Sequence, residues 1–160
     1  MIVGIDNGVS GGVTILSDYG DHIRSFTMPI QRARKGNEID VVELWDSIMN
    51  TGEQPDRFTF AVEEPGGSKS SKAATSMAGS FHAIRAMLEL KGCRWHRVTP
   101  QEWQKAMIPG AKGDTKPRAL AKARQLWPNE KWLATDRCRT PHDGMIDAAL
   151  IAEYVRLKLK

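Results

Sequence analysis

The chain opens on an alternation. Ile2, Gly4 and Asp6 interleave with Val3 and Ile5, the period-2 pattern of a strand over residues 1–7. The cluster Gly8, Gly11 and Gly12 predicts a tight turn, and Val13-Thr14-Ile15-Leu16 the returning strand over 12–17. A third strand is expected from Ile23 to Met28, after the turn Asp18-Tyr19-Gly20-Asp21, with Pro29 to Lys35 as a basic connector. Ile39, Val42, Trp45, Ile48 and Met49 then recur at helical spacing, predicting an amphipathic helix over 39–50. Phe58 to Val62 reads as a fourth strand between Pro55 and Pro65-Gly66-Gly67. The small, polar stretch 66–80 is expected to begin as a flexible loop. It leads into a helix with Phe81, Ile84, Met87 and Leu88 on its apolar face, stopped at Gly92. Cys93 to Val98 is the fifth strand. Thr99-Pro100-Gln101-Glu102 carries a capping box and a proline at the first helical position. Past Pro109-Gly110, a basic helix over 115–127 is expected, capped by Asp114 and stopped by Pro128. A last helix over 142–158 places Ile146, Ala149, Leu150 and Tyr154 on one side. Three strands, helix, strand, helix, strand and further helices describe an α/β protein: a mixed sheet with helices on its faces.

Length and composition narrow the class. At 160 residues, 41% hydrophobic and 26% charged, one globular domain over 1–160 is expected. No apolar run approaches the ~20 residues of a membrane span, and the strand beginning at Ile2 leaves no leader, so the expected location is cytoplasmic, with no membrane partner. Cys93 and Cys138 offer no disulfide framework. Cys93 and His96, three apart in a strand, face opposite sides, which disfavours zinc. The net charge of +4 is unevenly spread. Residues 38–56 hold six acidic side chains (Glu38, Asp40, Glu43, Asp46, Glu53, Asp56) and no basic one. Residues 94–124 hold eight basic (Arg94, Arg97, Lys105, Lys112, Lys116, Arg118, Lys122, Arg124) against Glu102 and Asp114. That asymmetry suits a phosphate backbone, with the acidic helix on the far side.

Carboxylates stand at three element ends. Asp6 closes the first strand, Glu63-Glu64 closes "FAVEEP", and Asp143 and Asp147 share one face of the last helix four residues apart. Asp147 introduces an otherwise apolar run, Ala148 to Ala152, which a scaffold alone does not require. If the strand ends are adjacent and the helix crosses them, four carboxylates converge. An all-oxygen set of this kind suits Mg²⁺ or Mn²⁺. Two such ions about 4 Å apart serve phosphodiester hydrolysis. Only one of Glu63 and Glu64 can face Asp6. Asp143 is alternatively the cap of its helix, and His142 a proton carrier or the entry to the helix.

Taken in order, "GIDNGVSGG", "AVEEP", "VTPQEWQK" and "HDGMIDAALIAEY" resemble the RuvC-type Holliday junction resolvases of the ribonuclease H-like superfamily, most like their small phage-encoded and organellar members. The resemblance implies a ribonuclease H-like α/β fold, a five-stranded mixed sheet flanked by helices on both faces. It implies a metal-dependent endonuclease that resolves four-way DNA junctions by paired symmetric nicks, as a homodimer, with two Mg²⁺ or Mn²⁺ per site. By position the implied metal and catalytic residues are Asp6, Glu63, Asp143 and Asp147. The last pair is spaced by four where bacterial members commonly use three, so His142 is an alternative to Asp143. The family's lysine matches Lys116, and its mobile loop after the glutamate matches 66–80, where Met77 rather than an aromatic is the apolar wedge. Junction phosphates would be met by Lys69, Lys72, Lys112, Lys116, Arg118 and Lys122, with steep salt dependence. The rival expectations are a non-catalytic junction-binding protein and an RNA-processing nuclease of the same superfamily. Sugar-kinase and actin-like ATPases share the Asp-then-glycine opening but need two such lobes.

Overall fold

The computed structural model describes the chain except for residues 35, 67–70, 111–112 and 160 and the side chains of Ser71 and Lys72. Lys69 and Lys112, and the side chain of Lys72, therefore lie outside the described residues. The main sheet is built from β1 (Ile2–Asp6), β2 (Gly12–Leu16), β3 (His22–Thr27), β6 (Thr59–Glu63) and β7 (Arg94–Val98). Its order is β3-β2-β1-β6-β7. The first three strands form an antiparallel meander, and β6 and β7 join parallel to β1. The result is the expected five-stranded mixed sheet. Parallel strands need crossovers, which the helices α1 (Val41–Met49) and α2 (Ser71–Leu90) supply. Then follow α3 (Pro100–Met107), α4 (Lys116–Leu126) and α5 (Asp143–Lys158).

The pleat divides the core in two. Val3, Ile5, Val13, Ile15, Phe60 and Val62 meet Leu44 and Ile48 of α1 and Ile84 and Leu88 of α2 on one face. Ile2, Leu16, Ala61 and Val98 meet α3, α4 and α5 on the other. Helices therefore cover both faces, and the acidic α1 lies across the sheet from α5. α5 rests most extensively on β1 and β2. Glycine makes that approach possible: a Cβ on Gly4 would run into the Ala148 carbonyl, and one on Gly144 into the Gly11 backbone. Inside this seam the Thr14 hydroxyl donates to the Met145 carbonyl at 2.9 Å.

Four local expectations change. The connector at 29–35 contains a strand: β4 (Ile30–Ala33) pairs with β5 (Gly36–Ile39) in a separate hairpin. All but Ala33 and Ile39 of these residues are exposed, so no apolar period announces it. Most of 66–80 is helix, because α2 starts at Ser71. Its small residues are good enough helix formers once Phe81, Ile84 and Leu88 anchor the far end. Met77 is a half-buried residue of that helix rather than part of a loop. At α4, Thr115 holds the cap position while Asp114 accepts the Lys116 N–H at 3.1 Å. At α5 the cap is His142, whose Nδ1 accepts the Met145 N–H at 3.3 Å, so Asp143 is the first helical residue and not the cap.

Candidate active site

Asp6 ends β1 and Glu63 ends the adjacent, parallel β6. Their register, Gly4 opposite Ala61 and Ile5 opposite Val62, brings the two carboxylates level when continued by one residue. Both belong to the small-residue face covered by α5. Glu64, on the opposite pleat, instead meets Arg97 with Oε1–Nη1 at 3.2 Å. Parity thus selects Glu63. Asn7, fully buried, laces the two strands beyond their ladder: its Nδ2 donates to the Glu63 carbonyl at 2.8 Å. The Gly8 N–H donates to Asp6 Oδ1 at 3.2 Å, turning the glycine cluster back under that carboxylate.

From above, α5 lowers Asp147 onto the pair. The bridge between Gly11 and Gly144 sets the helix start against the turn after β1. Asp147 lies one turn beyond Asp143, over the close-packed seam. Asp143 stands at the rim, about half exposed, with Oδ2 2.7 Å from Lys116 Nζ. Lys116 begins α4, so the two helix starts are joined by this ion pair.

Electrostatics register the convergence. Burial pushes Glu63 up to about 8, helped by the charges of Asp6 and Asp147 and opposed by a hydrogen bond from Trp103. Burial pushes Asp147 up to about 7, with Asp6 and Asp143 adding to the rise and Lys116 opposing it. Asp6 is raised by burial, against the Gly8 hydrogen bond and the nearby His142. Lys116 is raised by its hydrogen bond and charge contact with Asp143, so it remains an ammonium at neutral pH. Three half-buried carboxylates that penalise one another's charge are the arrangement a cation relieves. Among the described residues no group of three or more acidic, histidine or cysteine side chains is placed to hold a metal ion as it stands. Trp103 holds Glu63, and Lys116 holds Asp143. The donor set itself, carboxylate oxygens alone, fits Mg²⁺ or Mn²⁺. Nδ1 of His142 is engaged by the Met145 N–H at 3.3 Å, so the ring is held at the start of α5.

No protein-family model matches the chain, and no curated protein matches it. Solved structures do. The Thermus thermophilus RuvC structure superposes with a TM-score of 0.58 at 14% identity, over 98% of this chain and 96% of that one. T. thermophilus RuvC in complex with Holliday junction substrate gives a TM-score of 0.57 at 13% identity, over 99% and 96%. The fold is that of a RuvC-type resolvase. Within this RuvC-type fold, the acidic positions expected from the sequence fall at the ends of adjacent strands and on the helix that crosses them.

The basic residues divide. Lys116 reaches the acidic group. Arg118, exposed on α4, donates from Nη2 to the Pro109 carbonyl at 2.7 Å, and Lys122 reaches Gln125 at 3.2 Å. On α4, whose buried residues are Ala119 and Ala123, Arg118 is exposed and Lys122 half-buried. Two contributors were not identified from the sequence, Asn7 and Trp103. Asn7 looks like any turn residue in "GIDNG". Trp103 reads as core, its partner lying forty residues away at 2.7 Å. No helix of the described residues is long and apolar enough to cross a membrane.

Proposed function

We propose that this chain is a divalent-metal-dependent endonuclease that resolves four-way DNA junctions by paired nicks, acting as a homodimer in the cytoplasm. The observation that carries the reading is the meeting of Asp6, Glu63 and Asp147, three mutually perturbing carboxylates at the ends of adjacent parallel strands beneath α5. A scaffold gains nothing from gathering three partly desolvated like charges, which cost stability unless a counter-charge joins them. Asp6, Glu63 and Asp147 would hold Mg²⁺ or Mn²⁺, with Asp143 completing the set from the rim. When bound, such ions supply Lewis acidity and a hydroxide-like water at neutral pH.

The protein's own groups have separable tasks. Gly8 fixes one Asp6 oxygen, and Asn7 fixes the spacing of the Asp6 and Glu63 strand ends. Lys116, kept protonated by Asp143, offers a positive charge to the scissile phosphate as negative charge builds there, rather than a proton to move at neutral pH. His142 stands beside Asp143 at the start of α5 and is the alternative to it as a ligand. Arg118 and Lys122, with Lys69, Lys72 and Lys112, would meet phosphates and set register without reading bases. Products with 5′-phosphate and 3′-hydroxyl ends are expected.

The test is nicking of a synthetic four-way junction with Mg²⁺ by wild type, Asp6→Asn and Asp147→Asn. Each isosteric change removes one ligand charge and should lower the nicking rate by roughly a hundredfold or more while junction binding persists. Undiminished nicking by both variants would defeat the assignment. Tight binding without cleavage by wild type would favour the non-catalytic junction binder. Equal cleavage of folded RNA would favour the RNA-processing nuclease.

A further inference from the structure

We propose that Trp103 is a positioning residue of the site: its indole N–H fixes one oxygen of Glu63 and thereby sets where the other oxygen points. This inference rests on the metal-site reading above and adds a residue to it.

The geometry begins at the sheet. Glu63 pairs with Val98 at the end of β7, and the Glu64 N–H donates to the Val98 carbonyl at 2.7 Å. The chain then turns at once into α3. Thr99 caps it with a full capping box, its Oγ1 accepting the Glu102 N–H at 3.3 Å while Glu102 Oε2 accepts the Thr99 N–H at 2.9 Å, and Pro100 fixes the first helical position. The start of α3 is thus rigidly rooted beside Glu63, and Trp103 stands one turn in. It is 1% exposed, packed in the α5-side core, and its Nε1–H donates to Glu63 Oε1 at 2.7 Å.

Buried indole N–H groups usually find a partner, yet this fold does not satisfy every one, since Nε1 of buried Trp132 has none among the described residues. The partner Trp103 finds is one of the site's own carboxylates. It is also the sole hydrogen bond to the Glu63 carboxylate among the described residues, leaving Oε2 uncommitted. An uncharged donor is suited to this task. An arginine or lysine there would neutralise Glu63 and compete with a cation, whereas an indole orients the carboxylate and leaves its charge available.

The experiment uses the full-length protein without DNA and reads binding rather than activity. Calorimetric titration with Mn²⁺ should show Trp103→Phe binding about tenfold or more weakly than wild type, the usual cost of losing an orienting partner. In parallel, the five indole N–H resonances of ¹⁵N-labelled wild type are followed by NMR, with Trp103 assigned by its loss in the variant. The Trp103 resonance should move on adding Mg²⁺, and should move in Glu63→Gln, while the indoles of Trp45, Trp95, Trp127 and Trp132 stay nearly still. A purely packing role would give Mn²⁺ affinity within about twofold of wild type and a Trp103 resonance indifferent to Mg²⁺ and to Glu63→Gln, and would overturn the inference. Should Trp103→Phe fail to fold, the Glu63→Gln and Mg²⁺ responses of the Trp103 resonance, then assigned through its contacts to Val98 and Met107, decide alone. Wild type that takes up neither metal would overturn the site reading and this inference together. Wild type that binds while Trp103→Phe binds equally well overturns this inference only.

Discussion

At the scale of single residues, the site stores an instability that pH and metal should reveal together. Glu63 moves from an ordinary 4.5 up to about 8 in the fold. Asp147 moves from 3.8 up to about 7. A raised carboxyl binds its proton more tightly folded than unfolded, so it costs nothing below the unfolded value, where both states are protonated. The penalty grows as pH rises through the window between the two values and is complete above the folded one. The metal-free protein should therefore lose thermal stability from about pH 4 to about pH 8, contrary to the usual behaviour of salt-bridged acids. Mg²⁺ or Mn²⁺ compensates the charge, so either should raise the melting temperature much more at pH 8 than at pH 5, with proton release on binding. Removing one charge by Asp147→Asn should stabilise the metal-free protein at pH 8 by roughly 1–2 kcal/mol, as active-site neutralisation commonly does. Scanning calorimetry across this range measures all three. A metal-free stability that climbs steadily from pH 5 to pH 8 would mean that the carboxylates are not mutually buried.

At the scale of elements, the decisive contact is α5 on β1. It depends on Gly4, because a methyl there meets the Ala148 carbonyl, which helix hydrogen bonding prevents from moving aside. Gly4→Ala should cost about 1–3 kcal/mol or more through overpacking. It should also impair nicking out of proportion to junction binding, since Asp147 lies on the helix that must shift. An unchanged melting temperature would show that α5 does not sit this close. The same contact explains what could be read from the sequence. Strand alternation and the capping box at Thr99 are local signals, and those elements followed from them. The helical periods located α1 and α5 but not their faces, since Ile39 belongs to β5, Val42 is exposed, and α5 is buried nearly all round. The choice between Glu63 and Glu64 was in principle legible. Thr59 and Ala61 are small where Phe58, Phe60 and Val62 are large, and a helix lying against Gly4 requires the small side, which is the side of Glu63. The β4–β5 hairpin was not legible: its exposed residues carry no period, and its pairing rests on backbone hydrogen bonds that leave no trace in side-chain chemistry. Nor was the Trp103–Glu63 contact, which depends on the order of β6 and β7 in the sheet, a fact of topology rather than of pattern.

At the scale of the whole molecule, the proposed activity, if it holds, carries a symmetry requirement that one site on one chain does not meet alone. Asp6, Glu63 and Asp147 make one acidic centre on one chain, whereas a four-way junction is resolved by two nicks on strands related by a two-fold axis. A two-fold homodimer supplies two such centres by construction. The consequence can be measured on a supercoiled plasmid that extrudes a cruciform. One nick relaxes the plasmid and reabsorbs the cruciform, giving an open circle. Two nicks within the lifetime of one complex give a linear product. Co-refolding wild type with an equal amount of Asp147→Asn should yield dimers in a ratio of about 1:2:1, so that only about a quarter carry two working centres. Linear product should fall to about that fraction of the wild-type value, while open circles rise from the half-active dimers. Light scattering should give twice the 17.8 kDa chain mass for each preparation. If linear product instead falls only in proportion to the active chain, to about half, the nicks are made by chains acting independently, and the paired mechanism fails even if each centre cuts DNA.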